Sequence, residues 1–187
     1  MRSSYISDTL SLAEELNNFT AVLERTPGLS RTENFIRLIG PRSLVYSALF
    51  ITFDAFTCPE RSTRTNFLVS PGAKSPEEAN IQLHSIQAVR QVSQQARDLS
   101  IELSARIELD EFMRWHLGKV SPLVLDQMYC SLATFYWLLG ETGDESLQSS
   151  LKDLKLCMET IGRRWRLGQK YLEVASFYSR TNDNGQD

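Results

Sequence analysis

The sequence predicts an all-α, antiparallel domain of about five to seven helices, with a buried central helix and a long C-terminal helix. Apolar residues recur at spacings of three and four along most of the chain, as on the inner face of a helix. Ser-Pro pairs at 75–76 and 121–122 have the residue types that begin helices. The longest alternating run of β-branched residues, 65–69, is too short to indicate a sheet.

A first helix is predicted to begin at a Ser-Asp cap at 7–8 and to end at Pro27. Its apolar face would carry Leu12, Leu16, Phe19 and Leu23. A short apolar run over 35–39 follows, and Pro41 is expected to open the next helix as its first residue. That helix would end before Pro59. Its apolar residues at helical spacing are Leu44, Val45, Ala48, Leu49, Phe53 and Phe56.

Residues 60–74 are predicted to form a loop, because they are polar and lack periodicity. Ser75 then caps a helix that would run to about residue 107, with acids in its first turn. The residues predicted to face inward are Ile81, Ala88, Val92, Leu99 and Leu103.

The segment 123–139 is apolar nearly all round, which predicts a buried central helix that ends at Gly140. A single long helix over 144–178 would follow it. The apolar stripe of this helix consists of Leu147, Leu151, Leu154, Met158, Ile161, Trp165, Gly168, Leu172 and Ala175. The residues beside the stripe lack the alternating charges of a coiled coil, so we expect the stripe to face its own domain. Gly168 would let another helix come close, and 123–139 is the expected neighbour.

Composition indicates one intracellular domain that spans 1–187. The 42% apolar fraction is ordinary for a globule, and a net charge of −3 gives no overall attraction to nucleic acid or to an anionic membrane. The N-terminus lacks a signal-peptide pattern. The longest charge-free apolar stretches, 43–53 and 127–140, are shorter than the roughly 18 to 20 residues of a membrane span. Residues 179–187 are expected to form a disordered tail.

Candidate nucleophiles and metal ligands lack the partners that their chemistry needs. The cysteines, Cys58, Cys130 and Cys157, include no C-x-x-C pair and therefore indicate no zinc ribbon. Neither His84 nor His116 has a second His or a Glu at zinc-protease spacing. We expect His84 to be structural, beside the inward residues of its helix, and the second and third cysteines to be small core residues.

Carboxylates do not indicate a reaction centre either. The acids at 110–111 and 144–145 are adjacent, and neighbours on a helix point about 100° apart. The Asp-Asp-x-x-Asp run of isoprenoid enzymes, a phosphate-binding glycine loop and a nucleophile elbow are all missing from the sequence. The sequence therefore predicts a protein that is not an enzyme, with no catalytic residue, cofactor or metal ligand.

One basic cluster surrounds Trp165 and consists of Arg163, Arg164, Arg166 and Lys170. Its functional interpretation is a contact with a partner. Its structural interpretation is the solvated face of an amphipathic helix, with Trp165 in the core. Both interpretations stay open at the level of sequence.

Three stretches carry landmarks in a fixed order. The first comprises 42–50, Asp54, Cys58 and Pro59; the second comprises Ser121-Pro122, Ala133 and Tyr136; the third is 151–172, with Arg163-Arg164-Trp165 and Tyr171-Leu172. Together they cover about 42–174, and they resemble the C-terminal part of the fungal-specific transcription factor domain. This domain is the all-helical regulatory region that follows a binuclear zinc-cluster module in fungal regulators.

The resemblance implies a nuclear transcription regulator that acts through protein contacts or ligand-gated control. Its partners would be proteins of the transcription machinery or a self-association partner, and no membrane is implied. The zinc cluster of the family, its basic linker and the N-terminal half of its regulatory domain have no counterpart in these 187 residues. We therefore expect a C-terminal fragment of a larger regulatory domain that holds no zinc and does not itself bind DNA directly.

Two other functions remain as alternatives. One is a cytoplasmic helical scaffold or protein-interaction module, although no 34-residue self-similarity of helix-pair repeats is visible. The other is an all-α enzyme whose site the sequence does not display.

Overall fold

The computed structural model describes residues 31–57, 76–109, 120–163 and 165–183, together with six helical residues between 11 and 22 whose side chains are exposed. Within these ranges the chain forms five helices and no strand, which confirms the all-α class. They are α1 (Arg31–Thr57), α2 (Pro76–Leu109), α3 (Leu123–Thr142), α4 (Ser146–Gly162) and α5 (Arg166–Asp183). The loop predicted at 60–74 and most of the predicted first helix lie outside the described residues.

Helix α3 packs against each of the other four helices and forms the centre of the described bundle. Its almost continuous apolar sequence suits this position, because side chains on several sides of the helix leave water. Those with no exposed surface include Val124, Leu125, Met128, Leu132 and Phe135. The helix does not end at Gly140 as predicted. Gly143 ends it, with a left-handed φ of 64° and an N–H that donates to the Leu139 carbonyl at 2.9 Å.

Helix α1 corrects the prediction that Pro41 begins a new helix, since Pro41 lies inside a single helix of 27 residues. A proline inside a helix leaves one carbonyl without its usual N–H partner. Tertiary packing overrides that local signal here, because buried side chains such as Ile39 and Val45 lie on both sides of the proline. Gly40 lies close to α3, since a Cβ added to it would approach the Ser121 Cβ to 3.1 Å.

The stretch Phe35–Asp54 within α1 is long and apolar enough to cross a membrane, by length and composition alone. It is longer than the charge-free stretches found in the sequence because it continues past Arg37 and Arg42. In the structure the same stretch packs against α2 and α3, and it buries Ser43 and Ser47.

Helix α2 is the longest described helix, with 34 residues. A row of small residues along its inner side is buried: Ser85, Ser93, Ala96 and Ser100. Small side chains allow other helices to come close. The buried Ser100 hydroxyl has a hydrogen-bond partner within its own helix, because it donates to the Ala96 carbonyl at 2.6 Å. Of the residues predicted to face inward, Val92, Leu99 and Leu103 are buried.

The single helix predicted over 144–178 is wrong: the chain forms α4 and α5, separated by a break at 163–165. The two helices come together where Gly162 faces Gly168. A Cβ added to Gly168 would lie only 2.6 Å from the Gly162 Cα, so this corner requires glycine. The close neighbour of Gly168 is therefore the end of α4, and not α3 as predicted. Helix α5 continues to Asp183, beyond the predicted end at 178.

Polar bonds connect helices that are distant in sequence. The Ser47 hydroxyl donates to Asp126 Oδ2 at 2.7 Å and joins α1 to α3. Arg97 Nη2 donates to Asp153 Oδ2 at 2.6 Å and joins α2 to α4. These pairs fix the relative positions of the helices at the edge of the core.

One side of α3 has no neighbour among the described helices, and we call it the open side. Around α3, α1 packs against α2, α2 against α4, and α4 against α5, whereas α5 and α1 share no extended contact. The open side of α3 carries Asp126 and Cys130, which are both half-buried.

Candidate partner-binding surfaces

The predicted basic cluster lies at the corner between α4 and α5. Arg163 and Arg166 are exposed on either side of the break, and Lys170 is exposed one turn further along α5. Lys170 Nζ donates to Glu173 Oε2 at 2.9 Å, and this hydrogen bond raises the pKa of Lys170. Arg164 lies outside the described residues. We call Arg163, Arg166 and Lys170 the basic corner.

Trp165 occupies the break itself. Its side chain is half-buried and packs against the hydrophobic core, while Arg163 and Arg166 face solvent. The indole therefore anchors the corner to the core, and the exposed guanidinium groups carry planar N–H donors.

The two described cysteines are poor nucleophiles. Burial, followed by the negative charges of Asp126 and Asp54, raises the pKa of Cys130 to about 12. Burial also raises the pKa of Cys157, which lies in the core as predicted. Both thiols therefore stay protonated at neutral pH, and the thiolate is the reactive form. Cys58 lies outside the described residues.

The remaining candidates for chemistry are dispersed. His84, which we expect to be structural, has an exposed side chain on α2. Asp144 accepts hydrogen bonds from the Ser146 hydroxyl and from Arg90, and the bond with Ser146 is the main reason that its pKa is lowered. His116 and the acids at 110–111 lie outside the described ranges. Within those ranges, no group of three His, Cys, Asp or Glu side chains could hold a metal ion.

A second surface, which the sequence analysis missed, begins on α1. Leu44 and Ile51 are 55% and 75% exposed, although Leu44 is one of the apolar residues at helical spacing on this helix. Both residues lie beside Ser47, which bonds to Asp126 of α3. They are on the side of α1 opposite Phe35, whose ring contacts Arg106 of α2. They therefore face the open side of α3.

Helix α5 provides the other wall of this opening. Tyr171 stacks on Tyr129 of α3, with 4.8 Å between ring centroids. Leu167 and Val174 lie beside Tyr171, on the side of α5 turned away from Gly168 and hence from α4. They are 43% and 38% exposed.

We call the space between these walls the α1–α5 groove, lined by Leu44, Ile51, Asp126, Leu167 and Val174. Periodicity could not reveal it, because α1 is apolar on nearly every side and its pattern does not tell which side stays uncovered. One signal was present. Asp126 is the only charged residue in 123–139, and a lone acid on a buried helix marks the side that reaches water.

Several buried polar side chains have no hydrogen-bond partner within the described residues, among them Ser93, Tyr136 and Gln127. Gln127 of α3 is fully buried, and neither its Nε2 nor its Oε1 is bonded within the described part of the chain. An unsatisfied buried polar group lowers stability by about 1–3 kcal/mol.

Comparisons with known proteins give no match: no family model, no curated protein and no solved structure is similar to this chain.

Proposed function

We propose that this chain is the helical regulatory region of a fungal transcription regulator and that it acts in the nucleus through protein contacts. The observation that carries the proposal is the geometry of the basic corner. Two described residues of the closing landmark of the resemblance, Arg163 and Trp165, lie at the break between α4 and α5, where the tryptophan packs on the core and Arg163 is exposed.

The packing of the other landmarks supports the proposal. The described part of the first stretch lies on α1, and the second lies on α3, against which α1 packs. Tyr136, a landmark of the second stretch, is buried beneath α4, where Lys155 Nζ lies 5.1 Å from the centroid of its ring. The three stretches thus contribute to one core, as expected of a single regulatory domain.

The chemistry of the basic corner suggests an acidic partner. Arginine presents a planar set of N–H donors that match the two oxygens of a carboxylate. Arg163 and Arg166 are exposed and form no ion pair within the described residues. An acidic segment of a transcription protein, or of a second copy of the chain, would supply the carboxylates.

A tethering assay tests the proposal. The full chain is fused to an unrelated DNA-binding module, and the expression of a reporter gene is measured. We expect the fusion to change expression and the double variant Arg163→Glu/Arg166→Glu to lose most of that effect. Lys152→Glu is the matched control, since Lys152 is exposed on α4 away from the corner. No effect of the fusion, or an equal loss in control and double variant, would contradict the proposal.

Imaging of the tagged protein separates this function from the cytoplasmic scaffold. We expect fluorescence in the nucleus, and steady exclusion from the nucleus would favour the scaffold instead.

A further inference from the structure

The α1–α5 groove has the form of a bundle with one helix left out. Four helices surround α3, and the space between α1 and α5 is the side on which α3 has no neighbour among the described helices. The axes of packed helices lie about 8–10 Å apart, so a helix that filled this space would occupy about that width. Among the described helices, the space along α3 between α1 and α5 is therefore the position that a further helix would take.

The walls of the groove are apolar and regularly spaced. Leu44 and Ile51 are seven residues apart on α1, and Leu167 and Val174 are seven residues apart on α5. Seven residues are two helical turns, or roughly 10 Å. Each wall thus offers two apolar contacts at the spacing with which an amphipathic helix repeats its own apolar residues.

The floor of the groove is acidic. Asp126 is half-buried and accepts the Ser47 hydroxyl, and Asp54 is exposed at the end of the same side of α1. Neither carboxylate forms an ion pair within the described residues. Their charge reaches the surrounding groups: after burial, Asp126 is the largest cause of the raised pKa values of Cys130 and Tyr171.

We propose that the α1–α5 groove binds an amphipathic helix of another protein, with apolar residues two turns apart and a lysine or arginine directed at Asp126. Apolar residues on both edges of this helix would cover the exposed side chains of the walls. Its cation would pair with a carboxylate that is already fixed by Ser47, so little ordering of the floor is needed on binding. The proposal is independent of the basic corner, which would take an acidic partner.

Charge decides against two other occupants. The segment predicted as the first helix, which ends at Pro27, carries Asp8, Glu14, Glu15 and Glu24 against a single cation, Arg25, so its net negative charge is repelled by the acidic floor. A second copy that docked groove to groove would bring the Asp126 carboxylates of both copies together, and like charges at close range repel. Both occupants remain distinguishable outcomes of the test below.

The probe is a fluorescent helical peptide of about 15 residues, the length at which isolated helices become stable. Leucines at helical spacing form its apolar face, and one arginine lies in the middle of that face. A second peptide has glutamate in place of this arginine. Binding to the full chain is measured by fluorescence anisotropy, and we expect micromolar affinity for the arginine peptide and at least about tenfold weaker binding of the glutamate peptide.

Two variants locate the binding site. Asp126→Asn keeps an oxygen that can accept the Ser47 hydroxyl, and Ile51→Glu changes an exposed side chain, so both variants should fold. We expect each variant to weaken binding of the arginine peptide at least about tenfold. Asp126→Asn should in addition reduce the preference for the arginine peptide over the glutamate peptide. Leu156→Glu is the matched control, because Leu156 is 61% exposed on α4, outside the groove. We expect it to change binding less than about twofold.

Three results would overturn the proposal. Equal binding of the two peptides, or an equal loss for Leu156→Glu and Ile51→Glu, would mean that the peptide adheres without using the groove. A concentration-dependent dimer in sedimentation that Ile51→Glu abolishes would assign the groove to a second copy. Absence of peptide binding, together with a marked loss of thermal stability in Ile51→Glu, would show that the chain itself covers Ile51. In each case the tethering result for the basic corner is unaffected, so the two proposals fail separately.

Discussion

We predict that Gly168→Ala destabilises the protein, although helix propensity alone predicts that it would stabilise it. In an ordinary helix interior, glycine to alanine stabilises a protein by about 1 kcal/mol. In this structure the new Cβ would lie 2.6 Å from the Gly162 Cα and 3.4 Å from the Met158 carbonyl oxygen. Carbon atoms in contact normally lie about 3.5–4.0 Å apart. Because the obstructing atom belongs to the backbone, no side-chain rotation relieves the overlap.

Helix α5 must therefore move by roughly 1 Å relative to α4, which also disturbs the stacking of Tyr171 on Tyr129. Overpacking of this kind costs about 1–3 kcal/mol, and a backbone obstacle places the cost near the upper end. Subtraction of the propensity gain of about 1 kcal/mol leaves a net loss of about 2 kcal/mol. For a protein of this size, such a loss lowers Tm by about 4–8 °C.

Thermal unfolding followed by circular dichroism, with urea titration for the free energy of unfolding, measures this loss. Gln169→Ala is the control, since the neighbouring side chain is exposed and should change stability by less than about 0.5 kcal/mol. In Gly162→Ala the new Cβ would lie 3.3 Å from the Gly168 Cα, so we expect a smaller loss. A Gly168→Ala protein that melts at or above the wild-type temperature would refute the close approach of α4 and α5.

Three further predictions concern Trp165, Gln127 and Asp144. Trp165→Ala should destabilise the protein by about 2 kcal/mol, below the range of about 3–5 for a fully buried tryptophan, because its indole is only half-buried. Gln127→Met, a change of similar volume, should raise the free energy of unfolding by about 1–2 kcal/mol, since it removes an unsatisfied buried amide. The pKa of Asp144 is lowered from its ordinary value of 3.8, mainly by the Ser146 hydroxyl. This carboxylate therefore adds stability above that pH and loses its contribution as the pH falls below it, so Asp144→Asn should flatten the acid limb of the stability profile.

Urea titrations of each variant, repeated across the acid range for Asp144→Asn, check these expectations. Arg163→Ala is the control for Trp165→Ala and should shift the unfolding midpoint little, because the Arg163 side chain is exposed. Equal small losses in both variants would mean that the indole contributes no packing. A destabilised Gln127→Met protein would mean that the amide is hydrogen-bonded in solution. An unchanged acid limb would show that Asp144 keeps no hydrogen bond of consequence.

The sequence was sufficient where a pattern has a single physical explanation. A helix that is apolar on nearly all sides, such as 123–139, is stable in water only when it is buried, and most residues of α3 are buried or half-buried. The stripe of the final segment was also informative, since Leu147, Leu151 and Leu154 are buried in α4. These predictions depend on side-chain spacing within one helix, which the backbone geometry fixes locally.

The sequence was insufficient where contacts with distant parts of the chain determine the ends of a helix or the side of it that is exposed. The stripe continues in phase across the break at 163–165 because α4 and α5 bury their sides in the same core, so periodicity alone cannot detect the corner. Pro41 and Gly40 have the local character of a helix start, and only the packing of α1 on α3 keeps them inside a helix. Leu44 is apolar and at helical spacing, yet exposed. Which side of α1 remains uncovered depends on helices far along the chain.

The central position of α3 also has a consequence for the order of folding. Helices α3, α4 and α5 follow one another through short connections and pack pairwise, so their contacts close small loops and can form early. The bond between Ser47 and Asp126 instead joins residues 79 positions apart. Because closing this longer loop costs more chain entropy, we expect the bond to form after the contacts among α3, α4 and α5. The floor of the α1–α5 groove would then be completed late in folding, and loss of this bond would mainly speed unfolding and so shorten the lifetime of the surface.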